Sequence, residues 1–117
     1  KAAEAGDISS IILRARAYVD AHFGESALRI REVAAHVGLS ASYFSTMFAK
    51  HVGESFSDYL TGVRMREAQL LLSNTSLRTY EIAARVGYDN PAYFSTLFKK
   101  YTGMTISQYR NAFQNGY

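Results

Sequence analysis

The sequence predicts an all-α fold of about seven helices, with two copies of one small helical module joined by a long helix. Three observations carry this. The stretch Val33 to Tyr59 returns as Ile82 to Tyr109. Apolar residues recur at spacings of three and four, inside the copies and outside them. Glycine stands at matching places in both, where a helix would have to stop.

The two copies align at an offset of 49 residues up to Ser40/Asp89 and, after one inserted residue near Pro91, at an offset of 50. Thirteen identities result, among them Gly38/Gly87, Tyr43/Tyr93, Phe44/Phe94, Ser45/Ser95, Thr46/Thr96, Phe48/Phe98, Lys50/Lys100 and Gly53/Gly103. Two copies are too few for a solenoid, which needs about three stacked repeats. The organisation read from this is a first unit over 1–55, a linker helix over 56–73 and a second unit over 74–117.

Taken in order, Ile8 to Phe23 carries one apolar stripe (Ile8, Ile11, Ile12, Ala15, Val19, Phe23). Asp7 or Ser9 is placed to cap its start and Gly24 to end it. A short helix follows over Ile30 to Val37, with Ile30, Val33, Ala34 and Val37 inward. Gly38 then supplies a left-handed turn, and Ser40 caps the next helix. That helix, Ala41 to His51, points Phe44, Met47, Phe48 and His51 inward, and Ala41, Ser42, Ser45, Thr46 and Ala49 outward.

Phe56 to Ser73 is the longest periodic segment, weakened at Gly62 by about 1 kcal/mol relative to alanine. Thr79 to Val86 and Gly87 repeat the short helix and its turn. Asn90-Pro91 reads as a cap followed by proline at the first helical position, where a missing N–H costs nothing. Phe94, Leu97, Phe98 and Tyr101 then face inward, and Pro91, Ala92, Ser95, Thr96 and Lys99 outward. A closing helix from Thr105 to Phe113 turns Ile106, Tyr109 and Phe113 to the core.

The outer faces point to a function. A solvated helix face is usually rich in Glu, Lys and Arg. These two faces carry Ala, Ser and Thr instead, so the helix axis can approach another surface closely. Short helix, glycine turn and second helix make a helix-turn-helix. The DNA major groove, about 12 Å wide, just admits such a helix. Ser and Thr hydroxyls meet base edges there, and Ala and Thr methyl groups meet the thymine methyl. Charge is consistent with this. The net charge is +3, made of −1 over residues 1–63 and +4 over 64–117. A basic half suits a polyanion.

The runs EVAAHVGLSASYFSTMFAKHVGESFSDYL, VRMREAQLLL and EIAARVGYDNPAYFSTLFKKYTGMTISQYR resemble the DNA-binding domain of the AraC/XylS family of bacterial transcription regulators, over about residues 8–113. The resemblance implies a homeodomain-like pair of helix-turn-helix units held by one linker helix. It also implies recognition helices in successive major grooves, about 34 Å apart. By position, Ser42, Ser45 and Thr46 would read bases in the first unit, and Asn90, Ala92, Ser95 and Thr96 in the second. Ser40, Lys50, Arg64, Lys99 and Lys100 would meet phosphates. Many members carry Arg or Lys where this chain has Thr46 and Thr96, which implies weaker binding or a site leaning to A·T. Ala49 replaces the first lysine of the pair kept at Lys99-Lys100, and Gly62 implies a more flexible linker helix. Tyr43 and Tyr93 are read as packed bodies rather than phosphate contacts.

Other classes fare poorly. With no cysteine, thiolate metal sites and disulfides are excluded. His22, His36 and His51 are scattered, without a carboxylate or second histidine at ligand spacing. No nucleophile–base pair or phosphate loop stands out, so neither an enzyme nor a cofactor is expected. No run approaches the roughly 20 apolar residues that span a membrane, and a cytoplasmic location is expected. The chain starts at Lys1 without Met, which reads as a fragment, and the resemblance implies an effector or receiver domain ahead of it. Double-stranded DNA is the expected partner and activation the expected outcome, with RNA polymerase a further partner. A helical protein–protein module touching the transcription machinery is the rival reading.

Overall fold

The structure, a computed structural model, describes residues 7–114. Among these, seven α-helices follow one another: α1 Ile8–His22, α2 Ile30–His36, α3 Ala41–Val52, α4 Phe56–Asn74, α5 Thr79–Arg85, α6 Pro91–Thr102 and α7 Ile106–Gln114. The all-α class is as the periodicity predicts. By contacts the chain falls into two units. One holds α1 and Leu28–Leu60; the other holds Phe23–Ala27 and the chain from Thr61 onward. The division therefore runs through α4, and a short segment ahead of α2 packs with the second unit.

In the first unit Ile11, Ala15, Val19, Val33, Ala34, Phe44, Met47, Phe48, Phe56 and Leu60 are buried. Phe56 stands 5.8 Å from Phe44 and 5.5 Å from Phe48, ring to ring and edge-on. Such pairs add about 0.5–1.5 kcal/mol to what burial alone contributes. The second unit repeats this with Met65, Ala68, Leu72, Ile82, Ala83, Val86, Tyr88, Phe94 and Phe98.

Burial extends the internal repeat further back than sequence identity does. At the same offset of 49, the α1 positions Ile11, Ala15 and Val19 correspond to Leu60, Arg64 and Ala68 of α4, and all six are buried. At the offset of 50, Phe56, Tyr59 and Leu60 correspond to Ile106, Tyr109 and Arg110 of α7. Helix α4 is thus the last helix of one copy and the first helix of the next.

The helix ends follow the local chemistry. The Asp7 carboxylate accepts from the Ser10 N–H at 3.2 Å and caps α1. Glu32 and Glu81, each in the third position of a short helix, accept from the N–H of Arg29 (2.6 Å) and Arg78 (2.8 Å). Gly38 and Gly87 adopt φ of 79° and 102°, which a side chain resists by about 1–2 kcal/mol.

Several expectations are corrected. Helix α1 does end just ahead of Gly24, at His22, but Gly24 does not adopt a left-handed backbone. It lies so close to the second unit's turn that a Cβ would stand 2.7 Å from the Arg85 carbonyl oxygen. Gly62 is buried within α4, where a Cβ would lie 3.1 Å from an Arg66 guanidinium nitrogen and 3.5 Å from the Tyr101 hydroxyl. The helix runs unbroken through it. His51, Tyr101 and Phe113 are exposed, each in the last turn of its helix and on the side turned away from the core.

Candidate nucleic-acid interface

Helices α3 and α6 start from strong caps. The Ser40 hydroxyl accepts from the Tyr43 N–H at 3.2 Å. Asn90 Oδ1 accepts from two N–H groups, Ala92 at 2.9 Å and Tyr93 at 3.1 Å, with Pro91 at the first helical position. Both helices end on left-handed glycines, Gly53 and Gly103. Their inner faces are fixed by Phe44, Met47 and Phe48 in one unit and Phe94 and Phe98 in the other. The opposite faces are therefore held outward.

On those faces Ser42, Ser45, Thr46, Ala92 and Thr96 are exposed and Ser95 is half-buried. Asn90 is exposed at the start of α6. The two threonines share a detail that the sequence did not reveal. Thr46 Oγ1 donates to the Ser42 carbonyl (3.3 Å) and Thr96 Oγ1 to the Ala92 carbonyl (3.1 Å). With the hydroxyl proton turned back to the helix, the methyl group and oxygen lone pairs are what each threonine offers outward.

Beside each outer face lies a shallow groove. In the second unit it is lined by Ser95, Thr96, Lys99 and Lys100 of α6 and by the starts of α5 (Thr79) and α7 (Thr105, Ile106, Ser107), with a volume of about 740 Å³. In the first it is lined by Ser45 and by the starts of α2 (Arg29, Ile30) and α4 (Ser55, Phe56, Ser57), with about 320 Å³. Thr79, Ser95, Thr105, Ile106 and Ser107 are the repeat partners of Ile30, Ser45, Ser55, Phe56 and Ser57, so one feature was duplicated. Sequence reasoning missed the flanking residues because they sit at helix starts remote in sequence from the outer faces. Paired offsets of 49 and 50 would have found them. The copies differ in charge: Lys99 lines the second groove, and its partner in the first unit is Ala49.

Of the phosphate candidates, Ser40, Lys50, Lys99 and Lys100 are exposed. Arg64 is not, and here the sequence reading is corrected. It is 8% exposed, with Nε donating to the Phe23 carbonyl and a terminal nitrogen to the Glu25 carbonyl, each at 2.9 Å. A buried guanidinium holding two carbonyls is not available to a phosphate. Tyr43 and Tyr93 are corrected the other way. They are 55% and 56% exposed, because their helical phase falls at the edge of the outer face. Among the described residues no group of three or more His, Asp or Glu could hold a metal ion, and no helix is long and apolar enough to cross a membrane.

Comparison with known proteins gives this arrangement its context. The model of a helix-turn-helix domain family matches residues 33–112. The C-terminal domain of AraT, a response regulator from Geobacillus stearothermophilus, is 44% identical with a TM-score of 0.86, over 92% of this chain and 88% of that one. The C-terminal domain of the two-component response regulator yesN from Fusobacterium nucleatum is 40% identical with a TM-score of 0.80, over 82% and 93%. The regulatory protein PocR of Salmonella typhimurium is 37% identical over 75 residues, 64% of this chain. This chain spans 24% of PocR's length. On these grounds the chain belongs to the AraC-type helix-turn-helix family of transcription regulators and carries that family's DNA-binding domain.

Proposed function

We propose that α3 and α6 each enter a major groove of one duplex and that the chain reads a two-part, asymmetric site without dimerising. The observation that carries this is the duplicated outer face, short and polar in both copies and held outward by capped helices over phenylalanine cores. Ser42, Ser45 and Thr46 are the base readers of the first unit; Asn90, Ala92, Ser95 and Thr96 are those of the second. Ser40, Lys50, Lys99 and Lys100 hold phosphates, with Lys99 giving the second unit the firmer grip. With threonine methyl groups outward and no arginine on either face, the site leans to A·T pairs, whose thymine methyl an apolar group can meet.

In the whole protein, a preceding effector-binding or receiver domain supplies the signal, and transcription is activated in the cytoplasm through contact with RNA polymerase. The response-regulator relatives support a receiver in that place. The chain itself performs no catalysis.

Selection of bound duplexes from a random library tests the reading. Two short unlike blocks, about 10–10.5 base pairs apart between centres, are expected. No enrichment at low salt would move the assignment to a helical protein–protein module. Salt separates the two as well, since log K for duplex binding falls with log salt by about 0.9 per phosphate contacted.

A further inference from the structure

The two copies of the helix-turn-helix differ in one coordinated way. Where the first has Ala15 and Leu39, the second has Arg64 and Tyr88 at the corresponding positions. These two replacements touch each other. The Arg64 guanidinium carbon lies 5.2 Å from the centre of the Tyr88 ring, over its face. Cation and ring attract at this distance, more strongly when buried, and both residues are buried.

The pair continues in both directions. On one side Arg64 holds the carbonyls of Phe23 and Glu25. That segment presses on the turn so tightly that a Cβ on Gly87 would stand 2.6 Å from the Phe23 carbonyl oxygen and 2.7 Å from Arg64 Nε. On the other side the Tyr88 ring meets Tyr93 edge-on at 6.0 Å and Phe94 at 5.8 Å. Tyr93 and Phe94 lie in the first turn of α6, beside Ala92 and just ahead of Ser95 and Thr96. One continuous run of contacts thus leads from residues 23–25 through Arg64 and Tyr88 to the start of the second outer face. In the first copy a Cβ on Gly38 would meet nothing within 4 Å, so that turn has no such clamp.

We propose that Arg64 and Tyr88 are positioning residues for DNA reading by α6, and that they make the second unit the pre-organised reader of the pair. This rests on the duplex-reading assignment above. Arg64 acts through Tyr88, and Tyr88 acts by fixing the first turn of α6. A reading helix that rocks by a fraction of an ångström blurs its discrimination between bases while still meeting phosphates.

The test is duplex selection with the 117-residue chain and three variants. The unaltered chain comes first: if it selects no sequence, the duplex-reading assignment fails, independently of this proposal. If it selects two blocks, Tyr88→Leu is the informative variant, because leucine already fills the same place at Leu39. Expected is a loss of at least about fivefold in base discrimination within the second block, the lower end of what one mismatched pair costs, with the first block unchanged. Tyr88→Phe keeps the ring and is expected to behave like the unaltered chain. Unchanged discrimination, or an equal loss in both blocks, would overturn the proposal. Should Tyr88→Leu not fold, Tyr93→Ala decides, since Tyr93 is 56% exposed. Blurring of the second block alone supports the positioning role; weaker binding with the base preferences intact refutes it.

Discussion

Gly38 and Gly87 make the same left-handed turn, yet a Cβ would find open space at Gly38 and the Phe23 carbonyl oxygen 2.6 Å away at Gly87. One turn needs glycine for its backbone alone, and the other needs it for backbone and space. Gly38→Ala should therefore cost about 1–2 kcal/mol. Gly87→Ala carries the same strain plus displacement of a packed backbone, and should cost about 2–5 kcal/mol. Urea denaturation of both variants checks the order; equal losses would mean that the second turn is less tightly seated than described.

Thr96 separates methyl from hydroxyl. Its proton is bonded back to the Ala92 carbonyl, so Thr96→Val keeps the outward methyl group and loses only the oxygen lone pairs, whereas Thr96→Ser removes the methyl. Thr96→Val should retain a thymine preference that Thr96→Ser and Thr96→Ala lose, a difference of about 1 kcal/mol at one base pair. All three should fold, because the position is exposed. Competition binding with single-base variants of the selected site measures this.

The lysine asymmetry predicts opposite effects of two substitutions. Lys99→Ala should weaken binding to every sequence alike and make the log–log salt slope shallower by about 0.9. Ala49→Lys should strengthen binding and steepen the slope by about the same amount. A loss confined to one base position would count against the phosphate role of Lys99.

Asn90 is a cap and, in the proposed reading, also a base reader, and one variant separates the two. Its Oδ1 is taken by two backbone N–H groups, which leaves the amide nitrogen for a base. Serine caps well and does so at Ser40. Asn90→Ser should thus keep stability within about 0.5 kcal/mol, whereas Asn90→Ala should cost about 1 kcal/mol. If Asn90→Ser leaves base preference unaltered as well, Asn90 is a cap and not a reader.

The caps, turns and core were legible because each depends on neighbours in sequence. Ser40, Asn90-Pro91 and Gly38 act within four residues of themselves, as does the left-handed turn at Gly87 though not its close seat against Phe23, and Phe44, Phe48, Phe94 and Phe98 follow from helical period alone. What was not legible depends on contacts across the chain. Arg64 carries a charge, which the pattern assigns to a surface. It is buried because Phe23 and Glu25 offer two carbonyls 41 and 39 residues away in sequence. Gly24 and Gly62 look like breakers until the atoms opposite them are known. Tyr43 and Tyr93 look like core by composition, and only their helical phase at the edge of the face turns them outward. The outer-face residues could be placed from sequence, but the backward bonds of Thr46 and Thr96 could not, since a rotamer is not written in a periodicity.

Helix α4 belongs to both copies, and this bears on how such a chain can be taken apart or extended. Cutting after residue 55 deprives the first copy of Phe56, Tyr59 and Leu60, its closing helix; a cut anywhere after residue 27 deprives the second of Phe23–Ala27, which pack with it. The first unit therefore needs α4 as far as Leu60, the second needs α4 from Thr61 together with Phe23–Ala27, and no single cut yields two whole units. The same arithmetic runs in reverse. Because α7 stands in the first-copy place of α4, a tandem duplication of one 49-residue period would need no new linker, only a closing helix that also serves as an opening one. Shared helices of this kind turn the length of the repeat, rather than a flexible tether, into the quantity that sets how many modules one chain can string together.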